Sequence, residues 1–435
     1  MSKSIKYADL FAGVGGFAAA MTKFDFVHSY AVEIDRQASL TYLNNWGIDP
    51  YGDITEHAND EVMVVPANDI LLGGFPCQPF SKSGSQKGMD ETRGTLFWNI
   101  LRILRESKPA VVILENVRNL AGPRHVHEWE VIIESLRDAG YVVSSKPAIL
   151  SPHRLPPALG GRPQNRERVF ITATYFPELA AKLDPKPVFV AESKFGNWKP
   201  ENWDLEKNFK FDKDADSRYF LSDQEVLWIS AWQEWLQTYR EQNKSNPPGF
   251  PLWSDNWQSN LVIPEGAPGW KIDFLTKNHS LYLANKTWID QWMKKWGIRT
   301  EAFPASRRKF EWQAGDTSSL WDTLMHFRPS GLRAKRTNYV PTLVAITQTS
   351  IYGPLKRRLT PRETARLQAF PETFDFGTQQ DAASYKQMGN AVNVNVVYQV
   401  FRQHCLRDKE LLEKSEVGRA ILKSVITSPE NPDTV

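Results

Sequence analysis

Between residues 5 and 176 short apolar runs alternate with amphipathic stretches, and that alternation restricts the possible folds more than any other feature of the chain. The runs Ile5 to Ala12, Val27 to Ile34, Ile70 to Gly74, Ala110 to Val117 and Val169 to Thr174 are rich in Val, Ile, Leu and Phe. Between them, Leu96 to Arg105 and Val131 to Ala139 carry apolar residues at helical spacing. Strand and helix alternating at this interval build stacked βαβ units and a mostly parallel sheet. From about 177 to 340 the rhythm is lost, and this stretch holds 13 of the 16 tryptophans. Trp228, Trp232 and Trp235 share one helical face, as core residues do. Order returns from Leu355, where Thr360, Pro361 and Glu363 are suited to a helix N-cap, first position and third position. The last dozen residues read as disordered, and no internal repeat is seen.

A chain of 435 residues has room for two or three domains. No apolar run reaches transmembrane length, the first residues lack a signal-peptide pattern, and there are only two cysteines. A reducing, cytoplasmic setting is expected. The net charge of +3 is compatible with a polyanionic partner without demanding one.

Chemistry gathers at the ends of the strand-like runs. The first leads into Gly13-Val14-Gly15-Gly16-Phe17-Ala18, a glycine turn that lets a ligand approach the start of the next helix. Its spacing suits NAD, FAD or S-adenosylmethionine. Glu33 follows at the distance of a ribose-binding carboxylate, and Asp53 suits an adenine amino group. The second site is Cys77, in Gly73-Gly74-Phe75-Pro76-Cys77-Gln78-Pro79-Phe80-Ser81. Prolines and polar neighbours bracket this thiol, a setting for an exposed nucleophile more than for a core plug. Neither cysteine stands at a metal-ligand spacing, so no metal is expected. Glu115 ends the next apolar run, where it would stand beside Cys77 across neighbouring strand ends. Gln164, Arg166 and Arg168 alternate towards one face of the following strand.

These segments, in this order, closely resemble the cytosine-5 DNA methyltransferase family of bacterial or phage restriction-modification systems. The resemblance rests on Asp9 to Phe17, Gly74 to Gln78, Arg93-Gly94-Thr95-Leu96-Phe97, Glu115-Asn116-Val117 and Gln164 to Arg168. Arg358 to Glu363 and Gln387 to Val392 look like the family's last two motifs. The approach 151–161 is longer than the family's usual link, and Ile34 stands where many relatives carry an aromatic residue.

The resemblance implies an α/β fold: a Rossmann-like, mixed seven-stranded sheet that binds S-adenosylmethionine, with a second, smaller target-recognition domain. Residues 1–185, completed by 386–424, would form the catalytic domain and 186–385 the recognition domain, with 425–435 as a disordered tail. Cys77 would attack carbon 6 of a flipped-out cytosine in duplex DNA, Glu115 would serve ring nitrogen 3, and Arg166 and Arg168 would hold the base and the thiolate region. Phe11, Gly13, Gly15, Glu33, Asp53, Leu96 and Asn390 would surround the cofactor. Ser81, Lys82, Ser83, Lys87 and Arg93 in a closing loop, with Gln164, Ser330, Arg333, Arg336 and Thr342, would contact DNA, and Arg328 and Lys335 are further basic candidates. The partner is double-stranded DNA, with a cognate restriction endonuclease acting on the same site, no membrane, and a monomeric enzyme. An RNA (tRNA) cytosine-5 methyltransferase of the same architecture is the alternative.

Overall fold

The computed structural model describes residues 4–76, 95–188, 198–344 and 349–434. The first apolar runs form a parallel set: β1 (Lys6–Leu10), β2 (Val27–Val32), β3 (Ile70–Gly74) and β4 (Val111–Val117). Three further strands, β5 (Tyr141–Val143), β6 (Ala148–Leu150) and β7 (Arg168–Tyr175), complete a seven-stranded sheet of order β2-β1-β3-β4-β7-β5, with β6 also on β7. β7 runs antiparallel to β4, β5 and β6.

Alternate residues of each strand enter two different cores, as the pleat requires. Tyr7, Ile70, Leu72, Val111, Ile113 and Phe170 face the helices Gly16–Met21, Val394–Arg407 and Glu416–Thr427. Leu10, Leu71, Val112, Leu114, Val169 and Ile171 face Leu96–Ser107 and Val126–Asp138. Burial on both faces is why these strands read as continuous apolar runs.

The Trp-rich stretch has its own core. A second sheet, β8 (Leu252–Trp253), β9 (Lys309–Gln313), β10 (Leu324–Arg328), β11 (Gly331–Lys335), β12 (Ile351–Tyr352) and β13 (Arg357–Arg358), has the order β13-β12-β10-β11-β9-β8. The helices Asp223–Asn243 and Gly269–Trp296 cover one face, and Trp232, Trp235 and Trp257 are fully buried there. This core runs only from Ile229 to Ile351, whereas Leu359, Leu367, Phe370 and Phe374 pack into the first core. The second core therefore covers less of the chain than the 186–385 expected of a second domain.

Thr360 caps the helix Pro361–Leu367 with Glu363 in a reciprocal capping box, as its residue types predict. Asn390 ends a helix, Asp381–Asn390, and the next begins after Asn393, whose side chain accepts from the Val396 N–H. The expected disordered tail needs correction: within 425–434 Pro432 is buried, and Asp433 binds the Arg162 guanidinium through both oxygens at 2.8 and 2.6 Å.

Candidate active site

The glycine turn at the end of β1 is fixed by backbone geometry. Phe11, Gly13 and Gly15 adopt φ values of 54°, 55° and 88°, and so reverse the chain before the helix at Gly16. Space beside Gly13 is open where a Cβ would stand, which leaves room for a ligand. Gly15 has another task. A Cβ there would lie 2.0 Å from the Trp46 indole, and Gly15 does not line the cavity beside the turn. Its expected cofactor contact is thus replaced by close packing against Trp46, a partner the sequence pattern gave no reason to name.

Glu33, just beyond β2, holds the turn from the side. Its two carboxylate oxygens accept the Gly13 and Asp35 backbone N–H groups, each at 2.8 Å. Asp53 caps the short helix Ile54–His57 through Oδ1, which accepts the Thr55 N–H at 2.9 Å. Phe11, Gly13, Glu33, Asp53, Leu96 and Asn390 line one cavity of about 310 Å³, the size of a small-molecule site. Its apolar walls include Val32 and Ile54. Among the described residues its one lining cation, Lys386, is paired with Asp35 at 2.9 Å. Apolar walls with the carboxylates of Glu33 and Asp53 suit a nucleoside.

The far end of the same cavity is lined by Gly74, Pro76 and Glu115. Gly74 and Glu115 are register partners on adjacent parallel strands. Asn116 donates from Nδ2 to the Phe75 carbonyl at 2.8 Å, tying the segment that leads to residue 77 against the end of β4. Cys77 itself lies outside the described residues, as do Ser81, Lys82, Ser83, Lys87 and Arg93. The other cysteine, Cys405, is fully buried, and burial pushes its thiol well up, so it has no nucleophilic character.

Glu115 pairs with Arg168 on β7, Nε to Oε1 at 2.9 Å, with both side chains mostly buried. Burial raises the Glu115 pKa above the ordinary carboxylate value, against the opposing pull of Arg168 and Arg166. The predicted arginine stripe is realised only at Arg168, because β7 starts there. Arg166 is buried and acts as a strut: its guanidinium donates to the carbonyls of Leu343 at 3.2 Å and Gly389 at 3.0 Å, while its N–H donates to Ser151 Oγ. It reaches Glu115 only through its charge. Gln164 is fully buried, so it is not at an exposed DNA surface; its backbone pairs beside Val340. Thr342 donates its hydroxyl to the Asn165 carbonyl at 2.7 Å. In the recognition sheet, Ser330 sits in the two-residue turn between β10 and β11. Arg333 pairs with Glu311 at 2.8 Å. Arg336, past the end of β11, pairs with Asp316 at 2.7 Å and donates to the Ala314 carbonyl.

Comparison with known proteins agrees with this geometry. The family model for C-5 cytosine-specific DNA methylase matches residues 5–405. Type II methyltransferase M.AluI of Cellulosimicrobium cellulans is 46% identical, over 98% of this chain and 96% of its own length. M.HpaII of Haemophilus parainfluenzae is 28% identical over 91% and 88% of the two chains. M.HhaI of Haemophilus parahaemolyticus is 28% identical over 90% and 92%. The cavity that joins a glycine turn to a buried Glu–Arg pair is therefore that of a DNA (cytosine-5-)-methyltransferase, and the chain belongs to the C-5 cytosine-specific DNA methylase family.

Proposed function

We propose that the chain methylates carbon 5 of a cytosine swung out of duplex DNA, through a covalent adduct with Cys77, within a type II restriction-modification system. One observation carries this: the cavity lined by Glu33, Asp53 and Asn390 continues to Glu115 and to Pro76, the residue before Cys77.

S-adenosylmethionine, bound in this cavity, supplies an electrophilic methyl group. Glu33 has lone pairs left for a ribose diol after accepting two backbone N–H groups, Asp53 would serve the adenine amino group, and Phe11, Leu96 and Asn390 would close the walls. The Cys77 thiolate adds to carbon 6 of the cytosine, and the ring electrons shift towards nitrogen 3. Glu115, whose pKa burial raises, gives nitrogen 3 a proton as the thiolate adds, which makes carbon 5 nucleophilic. Once carbon 5 is methylated, a base such as water takes its proton, the bond to sulfur breaks to restore the thiolate, and the proton on nitrogen 3 returns to Glu115. Arg168 fixes the Glu115 carboxyl, and Arg166 fixes the backbone on which both stand.

The loop bearing Ser81, Lys82, Ser83, Lys87 and Arg93 closes over the DNA backbone in this reading, with Thr342 at the cleft and Ser330 in the gap left by the flipped base. The enzyme works as a cytoplasmic monomer, and a cognate endonuclease cuts the same site. The RNA alternative gains no support from relatives that are type II methyltransferases.

The test is to sequence 5-methylcytosine in DNA from cells expressing the chain or its Cys77→Ser variant. The wild type should mark one short motif, and the variant none, because a hydroxyl supplies almost no anion near neutral pH. Duplexes with 5-fluorocytosine at that motif should trap the wild type covalently. Substantial methylation by Cys77→Ser would rule out the covalent route.

A further inference from the structure

The recognition sheet has two unlike faces. Phe310, Trp312, Met325, Leu332, Ala334 and Ile351 point into the Trp-rich core. Their neighbours along each strand point the other way. Register then fixes which of those neighbours share a row. Across the middle of the sheet, His326 is opposite Arg333, and Arg333 is opposite Glu311. One row on, Leu324, Lys335 and Gln313 are aligned. In the other direction Arg328 is opposite Gly331, where the left-handed φ of 131° brings the backbone against Lys309. This face therefore carries Lys309, Arg328, Arg333 and Lys335 with Glu311 as the one carboxylate in these rows.

The central row is organised. Arg333 Nη2 is held at 2.8 Å by Glu311, and both side chains keep about a quarter of their surface exposed, 28% and 22%. His326 shares a hydrogen bond with Ser350 Oγ through Nε2 at 2.7 Å. Lys335 lies over the Tyr339 ring at 4.1 Å. Burial and the neighbouring cations keep His326 neutral, with its pKa lowered to about 3, and burial with Arg333 lowers Lys335 to about 8. Crowded cations with one counter-charge among them favour an anionic partner, and a fixed guanidinium with only about a quarter of its surface exposed is a poor choice for mere solubility.

We infer that the row His326–Arg333–Glu311 is the base-reading row of this enzyme, with Arg333 presenting its guanidinium fork to a guanine in the major groove, Glu311 as its positioning residue, and Arg328 and Lys335 on flanking phosphates. The inference rests on the DNA-methylating function proposed above. An arginine fork matches the O6 and N7 acceptors of guanine, and Glu311 occupies one edge of the guanidinium while leaving other N–H donors free. Arg336 stands outside this row, beyond the end of β11, where it pairs with Asp316 and donates to the Ala314 carbonyl. His326 and Glu311 acquire meaning only through cross-strand register, which residue type alone does not announce.

The full chain and its variants would be expressed in cells that lack cytosine-5 methylation, and 5-methylcytosine mapped by sequencing. Purified proteins would then be assayed on duplexes carrying the wild-type motif with each single base replaced. Arg333→Gln should cut methylation of the original motif roughly 5- to 150-fold and relax the requirement for guanine at one position, other positions staying fixed. Arg333→Lys keeps the charge without the fork and should relax the same position. Glu311→Gln should relax it too, a change in motif that loss of stability alone does not produce. Arg328→Gln and Lys335→Gln should weaken binding equally on all sequences and lower the salt slope by about 0.9 per lost contact. Melting and cofactor calorimetry on each variant separate folding from recognition. If the wild type leaves DNA unmethylated, the proposed function falls and this inference with it. If the wild type methylates a motif and both Arg333 variants retain that motif unchanged, the inference alone is overturned.

Discussion

Glu33 and Glu115 show how one residue type acquires opposite tasks from its surroundings. Glu33 accepts two backbone N–H groups and so braces the glycine turn from the side. Replacing it with Ala strands the Gly13 and Asp35 donors at a turn that already holds φ angles near 55°. Glu33→Ala should therefore lower both cofactor affinity and stability, the latter by about 1–3 kcal/mol for the unsatisfied donors. Calorimetric titration and thermal melting together check this, and unchanged cofactor binding would remove Glu33 from the site. Glu115 differs: burial raises its pKa above the ordinary carboxylate value, the direction that favours the protonated form the proposed mechanism uses. As pH rises through that raised pKa, the proton donor is lost, so kcat/KM should decline on the alkaline side. The limb belonging to Cys77 has the opposite sign, because rising pH makes more thiolate. Glu115→Gln cannot lose a proton in this range, so it should abolish the alkaline decline while costing about 10²- to 10⁴-fold in rate. A pH–rate profile of the two proteins decides it, and an alkaline limb unchanged in Glu115→Gln would assign that limb to another group.

At the scale of elements, the junction between the two cores depends on one buried ion pair. Arg357 donates to both oxygens of Glu363, at 2.7 and 2.9 Å, and to the Asp212 carbonyl, while Glu363 also accepts the Asp212 and Thr360 N–H groups. Both side chains are almost fully buried. Removing one partner leaves a charge without compensation, so Glu363→Ala should cost about 3–5 kcal/mol, read from denaturant unfolding. Replacing both residues with apolar ones of similar volume should restore much of that loss. The capping box at this spot was legible in the sequence, since Thr360, Pro361 and Glu363 stand at fixed offsets; the ion pair was not, because nothing local connects Arg357 to Glu363. The same divide runs through the fold. Long apolar strands and the glycine turn announce themselves, whereas β5 and β6, with three residues each, are too short to show a period. Gln164 and Arg166 read as an alternating strand, but strand pairing with β4 begins at Arg168, and the residues before it pair with the chain near Val340. Cavity-lining residues at the ends of strands were recognisable from type and position. Gly15, Asn116, His326 and Glu311 depend on contacts remote in sequence.

At the scale of the molecule, the recognition unit is attached in a way that favours replacement. Its two ends lie side by side: Phe220 forms an isolated bridge with Arg357, and the Leu221 N–H donates to the Lys356 carbonyl at 3.1 Å. Termini this close are what allow a segment to be inserted or exchanged without reshaping its host. Leu324, Val340, Leu343 and Tyr352 pack into the first core, and several of the hydrogen bonds back to the catalytic domain use main chain. The Val340 N–H donates to the Pro163 carbonyl at 2.7 Å, the Asn165 N–H to the Val340 carbonyl at 2.8 Å, and the Arg166 guanidinium to the Leu343 carbonyl at 3.2 Å. Backbone contacts survive changes of side chain, so the surface that reads DNA can vary while Arg166 keeps its anchorage. Exchanging 221–356 for the corresponding segment of a relative with a different target should therefore move the methylated motif, with cofactor affinity and covalent trapping by 5-fluorocytosine retained. Placing the junctions at 186 and 385 should fail, because Val188, Leu205, Leu359, Leu367 and Phe374 belong to the first core and would be replaced along with the recognition unit. Methylation maps of the two hybrids and their melting temperatures distinguish these outcomes. An active 221–356 hybrid that still marks the original motif would return sequence choice to the catalytic domain.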